Sequence, residues 1–251
     1  MGRDRNSMDI TILTCNYNTP ELIVNMLKSV KQTCSQLPNL VVLNTSTEES
    51  DILDVNKIPY FNYRGGIHGE AVNLGFKKIK TRYVLLVDSD ILFIKDFKPA
   101  FDKFKSLNLA IMGKVVGDCA GKLLYPRVEP WYCFIDLNIL KSKKIEFFDR
   151  ARSIKIPNTR MYDVGSTMFE DITNAGLTIG NANLEKYFIH FGGMSWREQK
   201  YNPTFEDSDI DFGGTHPHKV LYDMALQIKK DYIQKTEYLK DVNIKGIFKN
   251  E

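Results

Sequence analysis

The sequence predicts an α/β fold, a mostly parallel central sheet flanked by helices, with a helical extension at the C-terminus. Three observations lead there. Strand-like and helix-like segments alternate through residues 9–95, a pattern that places helices on the faces of a parallel sheet. The run Tyr83 to Phe93 (Tyr-Val-Leu-Leu-Val-Asp-Ser-Asp-Ile-Leu-Phe) opens as an uninterrupted apolar strand, as a strand covered on both faces does. From His218 to Lys240 the apolar residues Val220, Leu221, Met224, Leu226 and Ile228 fall at helical spacing, with charge increasing toward the end.

In order, residues 9–14 (Asp-Ile-Thr-Ile-Leu-Thr) read as a first strand. Thr19-Pro20-Glu21 opens a helix, with Thr as N-cap, Pro at the first position and an acid in the first turn. Leu22, Ile23, Met26, Leu27 and Val30 form its apolar face. Leu40 to Leu43 reads as a second strand, followed by the polar turn Asn44-Thr45-Ser46-Thr47. A weaker strand lies near Tyr60 to Tyr63, ended by Arg64-Gly65-Gly66. Gly69 to Lys80 reads as a helix with Val72, Phe76 and Ile79 on one side, and the apolar run beginning at Tyr83 follows. Past residue 110 the regularity fades. Trp131 to Asp136 reads as a strand, 141–160 as a basic irregular segment, Asp163 to Gly176 as a helix closing on Gly, and 186–191 as a short strand ending in His190-Phe191-Gly192-Gly193. The segment 197–216 reads as a loop.

The chain has 251 residues, 43% hydrophobic and 26% charged, ordinary values for a globular protein with a sizeable core. A formal net charge of only +3 does not single out nucleic acid as a partner. No apolar run reaches the roughly 18–20 residues that span a bilayer. Met1 to Met8 is polar and reads as a disordered or non-native leader, with Met8 as a candidate native start; Asn6 stands where a myristoylation signal has Ser or Thr. Cys15, Cys34, Cys119 and Cys133 lack metal-site spacing and read as reduced thiols. The expected location is cytoplasmic, either free or at the cytosolic face of a membrane.

Asp88 and Asp90 stand where the apolar strand runs out. Charges at the end of a buried strand are paired or bind a cation. At this spacing they can share a hard divalent ion and hold a phosphate-bearing ligand against it. Asn16, Asn44 and Asp88 each follow a strand, so they should converge on the rim at the carboxyl ends, where such sheets bind ligands.

Strand, Asn16-Tyr17-Asn18, helix, strand with polar turn, Asn73-Leu74-Gly75, then an apolar strand into Asp88-Ser89-Asp90: this order resembles the GT-A glycosyltransferases, in particular the inverting family 2, over residues 9–196. The resemblance implies a GT-A, Rossmann-like fold. It divides the chain into a leader (1–8), a glycosyltransferase domain (9–216, with a nucleotide-sugar half 9–95 and an acceptor half 96–216) and a helical extension (217–251). It implies transfer from a nucleotide sugar, most simply a UDP-sugar, to a hydroxyl of a glycan, glycolipid or glycoprotein, with inversion and with Mn²⁺ or Mg²⁺. Thr14, Asn16 and Tyr17 would line the base and ribose pocket, joined on the donor side by Asn44, His68, Asn73, Asp88 and Ser89. Asn44 stands where the family usually has Asp. Asp90 would ligate the metal, with Asp88 on the ribose, the metal or its water shell and His190 on the metal or the diphosphate. The context His190-Phe191-Gly192-Gly193-Met194-Ser195-Trp196 matches that of a His near the end of the family's catalytic domain. Asp163 would be the base that takes the acceptor's proton, although Tyr162 replaces the acid that usually precedes it; Asp171, in the pair Glu170-Asp171, competes for the role. Trp131 and Tyr132 would offer ring faces to an acceptor sugar, and His216 and His218, flanking Pro217, a lid. The basic segment 141–160 suits an anionic or lipid-diphosphate acceptor, peripheral contact with a membrane, or a solvated face.

Three rival readings differ at identifiable positions. A phosphatase of the haloacid dehalogenase type wants Thr or Val where this chain has Leu92. A sugar-nucleotide nucleotidyltransferase needs a Gly-rich basic loop after the first strand, where Asn16-Tyr17-Asn18-Thr19 stands. A non-catalytic sugar- or partner-binding module of the same shape has no need of Asp88, Asp90 and Asp163.

Overall fold

The computed structural model describes residues 7–46, 50–64, 67–118, 123–153, 159–194 and 217–248. The elements are β1 (Ser7–Asn16), α1 (Pro20–Thr33), β2 (Leu37–Asn44), α2 (Asp51–Val55), β3 (Phe61–Asn62), α3 (His68–Lys78), β4 (Tyr83–Val87), β5 (Ile91–Phe93), α4 (Lys98–Ser106), β6 (Ile111–Gly113), β7 (Val115–Val116), β8 (Arg127–Val128), β9 (Tyr132–Asp136), α5 (Leu137–Lys143), α6 (Ser166–Asn174), β10 (Ile179–Asn181), β11 (Phe188–His190) and α7 (Pro217–Thr236), with a 3₁₀ turn at Glu237–Leu239. Seven strands form the main sheet in the order β10-β6-β9-β4-β1-β2-β3. All neighbours are parallel except at β9, which runs antiparallel to β4 and β6. Two small antiparallel pairs, β5–β11 and β7–β8, stand outside it.

The strand alternation feeds two packed layers. Ile10 and Ile12 of β1, Leu40 and Val42 of β2, Leu85 of β4 and Phe134 of β9 face α1 and α4. Leu13, Val41, Leu43, Val84, Leu86, Cys133 and Ile135 face α3, α5 and α6. Gly75 belongs to the second layer for lack of space: a Cβ there would meet the Leu13 side chain at 2.5 Å, so α3 lies this close to β1 only with a glycine at that point.

Several elements depart from expectation. β1 starts at Ser7, and Met8 is buried, so ordered chain reaches back into the segment read as a leader. Thr19 occupies the cap position of α1, but its hydroxyl does not cap the helix; the Asn16 side chain instead accepts from the Thr19 amide at 3.1 Å. α3 ends at Lys78 rather than Lys80. α6 begins at Ser166, three residues after Asp163, because Gly165 at its cap adopts φ +84°. Asp163 therefore lies in the approach to the helix. The C-terminal segment packs back on the domain: Tyr232 and Leu239 join Leu22 and Leu92, while Ile244 and Phe248 enter the layer over α1. Ser195, Trp196, the loop 197–216 with His216, Cys119 and much of the leader lie outside the described residues. Among the described residues no helix is long and apolar enough to cross a membrane.

Candidate active site

The carboxyl ends of β1, β2 and β3 are laced by amides. Asn16, Asn44 and Asn62 stand side by side in the strand register. Asn16 Nδ2 donates to Asn44 Oδ1 at 2.9 Å and to Ser46 Oγ at 3.2 Å, and Asn44 Nδ2 donates to Asn62 Oδ1 at 3.1 Å. An amide both donates and accepts, so three in a row satisfy one another where the backbone ladder stops. An Asp in place of Asn44 would lack the donor that reaches Asn62. Tyr17, 47% exposed, stands beside this rim, and Asn18 turns the chain at φ +56°. Thr14 is fully buried among the apolar side chains, since the pleat turns it to the same side as Ile10 and Ile12. Its hydroxyl is buried without a hydrogen-bond partner among the described residues.

The second part of the site is a corner where β4 leaves the sheet. After Val87 the chain turns through Asp88-Ser89-Asp90 into β5, which pairs with β11 so that His190 lies opposite Ile91. Asp90 is 4% exposed. Its Oδ2 accepts from the Met194 amide at 3.1 Å, and its backbone carbonyl accepts from the Phe191 amide at 3.1 Å. The first of these bonds requires the chain to double back after β11. Gly192 and Gly193 do this with consecutive positive φ angles of +63° and +76°, a pair that side chains with a Cβ resist. His190 Nε2 lies 3.2 Å from Asp90 Oδ1 and 3.9 Å from Asp88 Oδ2. One ligand atom from each of the three residues falls within 4.8 Å of the others. Trp131 stacks on the imidazole with centroids 5.3 Å apart, and its carbonyl accepts from the Asp88 amide at 3.1 Å. One residue thus fixes both the Asp88 backbone and the His190 imidazole.

The donor set fits a divalent cation. Asp90 Oδ1 and His190 Nε2 are buried, close together, and among the described residues neither is in a well-aligned hydrogen bond. Buried polar atoms in that state call for a further partner, and two carboxylates with an imidazole suit Mn²⁺ or Mg²⁺. Asp88 keeps 36% of its side chain open, so a ligand can reach it. Burial nevertheless raises its carboxyl above the usual range and Asp90 adds to the rise, against the pull of His68 and His190. Burial pulls His190 down, but Asp90, Asp88 and Glu129 outweigh it and leave the imidazole raised. Cys15 is pushed up to about 12 by burial, with Asp88 adding to the rise, and Cys133 is pushed up for the same two reasons. Neither belongs to the group of ligand atoms that meet at the corner among the described residues, which is an oxygen and nitrogen site.

The remaining expected residues separate. Ser89 is buried in the turn, and His68 is exposed at the start of α3, within electrostatic reach of Asp88. Asn73 is used internally: Oδ1 accepts from the Phe147 and Phe148 amides at 2.8 and 3.3 Å, and Nδ2 donates to the Phe148 carbonyl at 2.7 Å. Tyr132, expected at an acceptor cleft, is 2% exposed. Its ring meets Phe188 and its hydroxyl donates to Glu129 at 3.2 Å, so it presents no face to a sugar. The Asp163 side chain is 46% exposed, with Oδ1 accepting from the Val164 amide at 2.8 Å and Oδ2 3.4 Å from Arg127 Nη2. Asp171 is bidentate to Arg152 at 2.8 and 3.0 Å, and that guanidinium also holds Glu170. Tyr162 donates to Glu170 and stacks on Tyr125. Arg127 and Glu129 were not anticipated. In the sequence they are two charged residues near a proline; only their burial, 5% and 6% exposed, sets them apart.

Comparison with known proteins bears on this geometry. A model described as "Glycosyl transferase family 2" matches residues 11–173. No curated protein matches the chain. Among solved structures, Staphylococcus aureus TarS 1–349 is 16% identical with a TM-score of 0.52, covering 94% of this chain and 75% of that one. A mannosyltransferase from Pyrobaculum calidifontis, in complex with GDP-Man and Mn²⁺, is 12% identical with a TM-score of 0.52, covering 93% and 76%. A putative glucose-1-phosphate thymidylyltransferase from Bacillus anthracis is 13% identical with a TM-score of 0.51, covering 81% and 97%. At these identities the likeness concerns the fold, which glycosyltransferases and a nucleotidyltransferase share.

Proposed function

The chain belongs to glycosyl transferase family 2 and is a glycosyltransferase, and we propose that it takes its sugar from a UDP-sugar with Mn²⁺ or Mg²⁺ held at Asp90, Asp88 and His190. The acceptor is a hydroxyl of a glycan, glycolipid or glycoprotein, and transfer proceeds with inversion. The observation that carries this reading is the pair of buried atoms Asp90 Oδ1 and His190 Nε2, unsatisfied among the described residues and 3.2 Å apart beside Asp88. A cation bound there would neutralise the diphosphate and act as a Lewis acid for the departing nucleotide.

The chain's own residues supply the rest. The Met194 amide fixes which oxygen of Asp90 points to the corner. Trp131 holds the imidazole by stacking and Asp88 through its carbonyl. The Asn16–Asn44–Asn62 rim and the open ring of Tyr17 stand at the strand ends, where the donor's base and ribose would lie. Asp163, half exposed at the approach to α6, takes the acceptor's hydroxyl proton as the oxygen attacks the sugar. Asp171 is the weaker candidate because Arg152 occupies both its oxygens. The thymidylyltransferase likeness does not favour nucleotidyl transfer: Asn16-Tyr17-Asn18-Thr19 is neither glycine-rich nor basic.

Calorimetric titration with UDP, with and without Mn²⁺, tests the reading. UDP should bind only in the presence of the metal; equal binding without it, or none at all, counts against the site. Asp90→Ala should abolish donor hydrolysis while circular dichroism stays native, and retained hydrolysis would remove the metal assignment.

A further inference from the structure

The guanidinium of Arg127 sits in an unusual state. Its side chain is 6% exposed, yet among the described residues its single ion pair is the 3.4 Å contact of Nη2 with Asp163 Oδ2. Among the described residues Nε and Nη1 are buried with no hydrogen-bond partner. The other partly buried arginines differ. Arg82 gives Nε at 2.9 Å and Nη2 at 2.7 Å to Asp136, and Arg152 spreads over Asp171 and Glu170. A guanidinium that serves packing finds acceptors for its donors. Among the described residues Arg127 is buried with one long contact, an arrangement that costs stability and leaves its charge directed at a single carboxylate.

The surroundings hold that carboxylate and cation in place. Arg127 lies on β8, opposite Val116. Its neighbour Val128 fills the space beside Gly113, where an added Cβ would come within 2.5 Å of it. On the other side, the Asp163 amide donates to Ser166 Oγ at 3.2 Å, and that hydroxyl donates to the Tyr125 carbonyl at 3.2 Å. With Oδ1 on the Val164 amide, Oδ2 is left to face Arg127. Such a carboxylate is limited to one orientation while it remains half open to a ligand.

We propose that Arg127 is the positioning residue for Asp163, holding the carboxylate in the orientation in which it receives the acceptor's proton. The inference rests on the reading of Asp163 as the base. The test measures UDP release from UDP-glucose, UDP-galactose and UDP-N-acetylglucosamine with Mn²⁺, water being the acceptor, in wild type, Arg127→Met, Arg127→Lys and Asp163→Asn. UDP affinity is measured in parallel by calorimetry. Arg127→Met should lower kcat by on the order of a hundredfold, the effect of a misplaced catalytic group, with UDP affinity and donor KM unchanged. Arg127→Lys should recover part of the loss, since it keeps the charge but not the planar fork. A role in folding alone would instead lower the melting temperature and leave kcat per folded molecule intact. If Asp163→Asn is inactive while Arg127→Met turns over at the wild-type rate, the inference falls and the base stands. If Asp163→Asn is fully active, or wild type releases no UDP, the reading of the site falls and the inference with it. Should Arg127→Met fail to fold, Arg127→Lys decides: a several-fold lower kcat at unchanged UDP affinity supports positioning, and a wild-type kcat overturns it.

Discussion

Replacing Asn73 with Ala separates two roles for the Asn73-Leu74-Gly75 segment. The resemblance to relatives puts Asn73 on the donor side; the structure commits its side chain to three hydrogen bonds with the backbone of Phe147 and Phe148. Each such bond contributes about 1 kcal/mol net, and amides left without a partner add to the loss. The expected destabilisation is therefore about 3 kcal/mol, or about 6–12 °C in melting temperature for a domain of this size. Gly69 belongs to the same attachment, since a Cβ there would meet the Phe148 ring at 2.4 Å. Urea unfolding followed by circular dichroism gives the stability. Calorimetry with UDP and Mn²⁺, under conditions where the variant is folded, gives donor affinity. The expected result is a large loss of stability at unchanged affinity. A variant as stable as wild type to within about 0.5 kcal/mol, the scatter typical of surface substitutions, but defective in UDP binding would refute the structural role.

Three further outcomes are expected. Trp131→Ala removes the ring that orients His190 while leaving the carbonyl that holds Asp88; Mn²⁺ affinity should fall on the order of 10–100-fold, as for other groups that orient a ligand, and an unchanged titration would remove Trp131 from the site. Asp96 accepts from the Ser35 amide and hydroxyl and from the Lys98 amide, and despite opposing burial these hold its carboxyl below the usual range. The folded state then binds that proton less tightly than the unfolded chain, so the stabilisation is present above about pH 4 and is lost as pH falls through the lowered folded value. Asp96→Ala should cost about 1 kcal/mol at pH 7 and make the acid-side decline shallower in urea titrations. Cys15 and Cys133 are buried thiols held protonated; brief iodoacetamide treatment of the native protein at pH 8 should leave both unmodified by mass spectrometry, and rapid labelling would contradict their burial.

The first half of the fold was readable because its signals are local. Pro20 and Glu21 mark the start of α1, and the apolar run of β4 ends abruptly in two carboxylates. The meeting of Asp90 with His190 followed from resemblance, whereas the means of bringing them together is tertiary. The paired glycines after β11 return the Met194 amide to Asp90, and no short-range pattern shows where that amide points. β9 entered as one more strand, since an antiparallel strand covered on both faces has the same apolar content as a parallel one. Tyr132 and Trp131 are adjacent aromatics in sequence. Pleat alternation alone sends one into the core and leaves the other against the imidazole. Arg127 gave no sign because a buried arginine is recognised by its surroundings, and those come from a segment near Asp163.

The antiparallel pairing of β5 with β11 also acts as a clasp. Asp90 and Met194 are 104 residues apart, so joining them closes most of the second half of the domain into one loop. Loop-closure entropy grows only slowly with length, and a few well-placed bonds are enough to hold such a loop shut. A cation bridging Asp90 and His190 would add a third fastening at the same point. It would stabilise the closed form in proportion to the logarithm of its concentration over its dissociation constant. The melting temperature of the enzyme should then rise with Mn²⁺ in the absence of any sugar nucleotide.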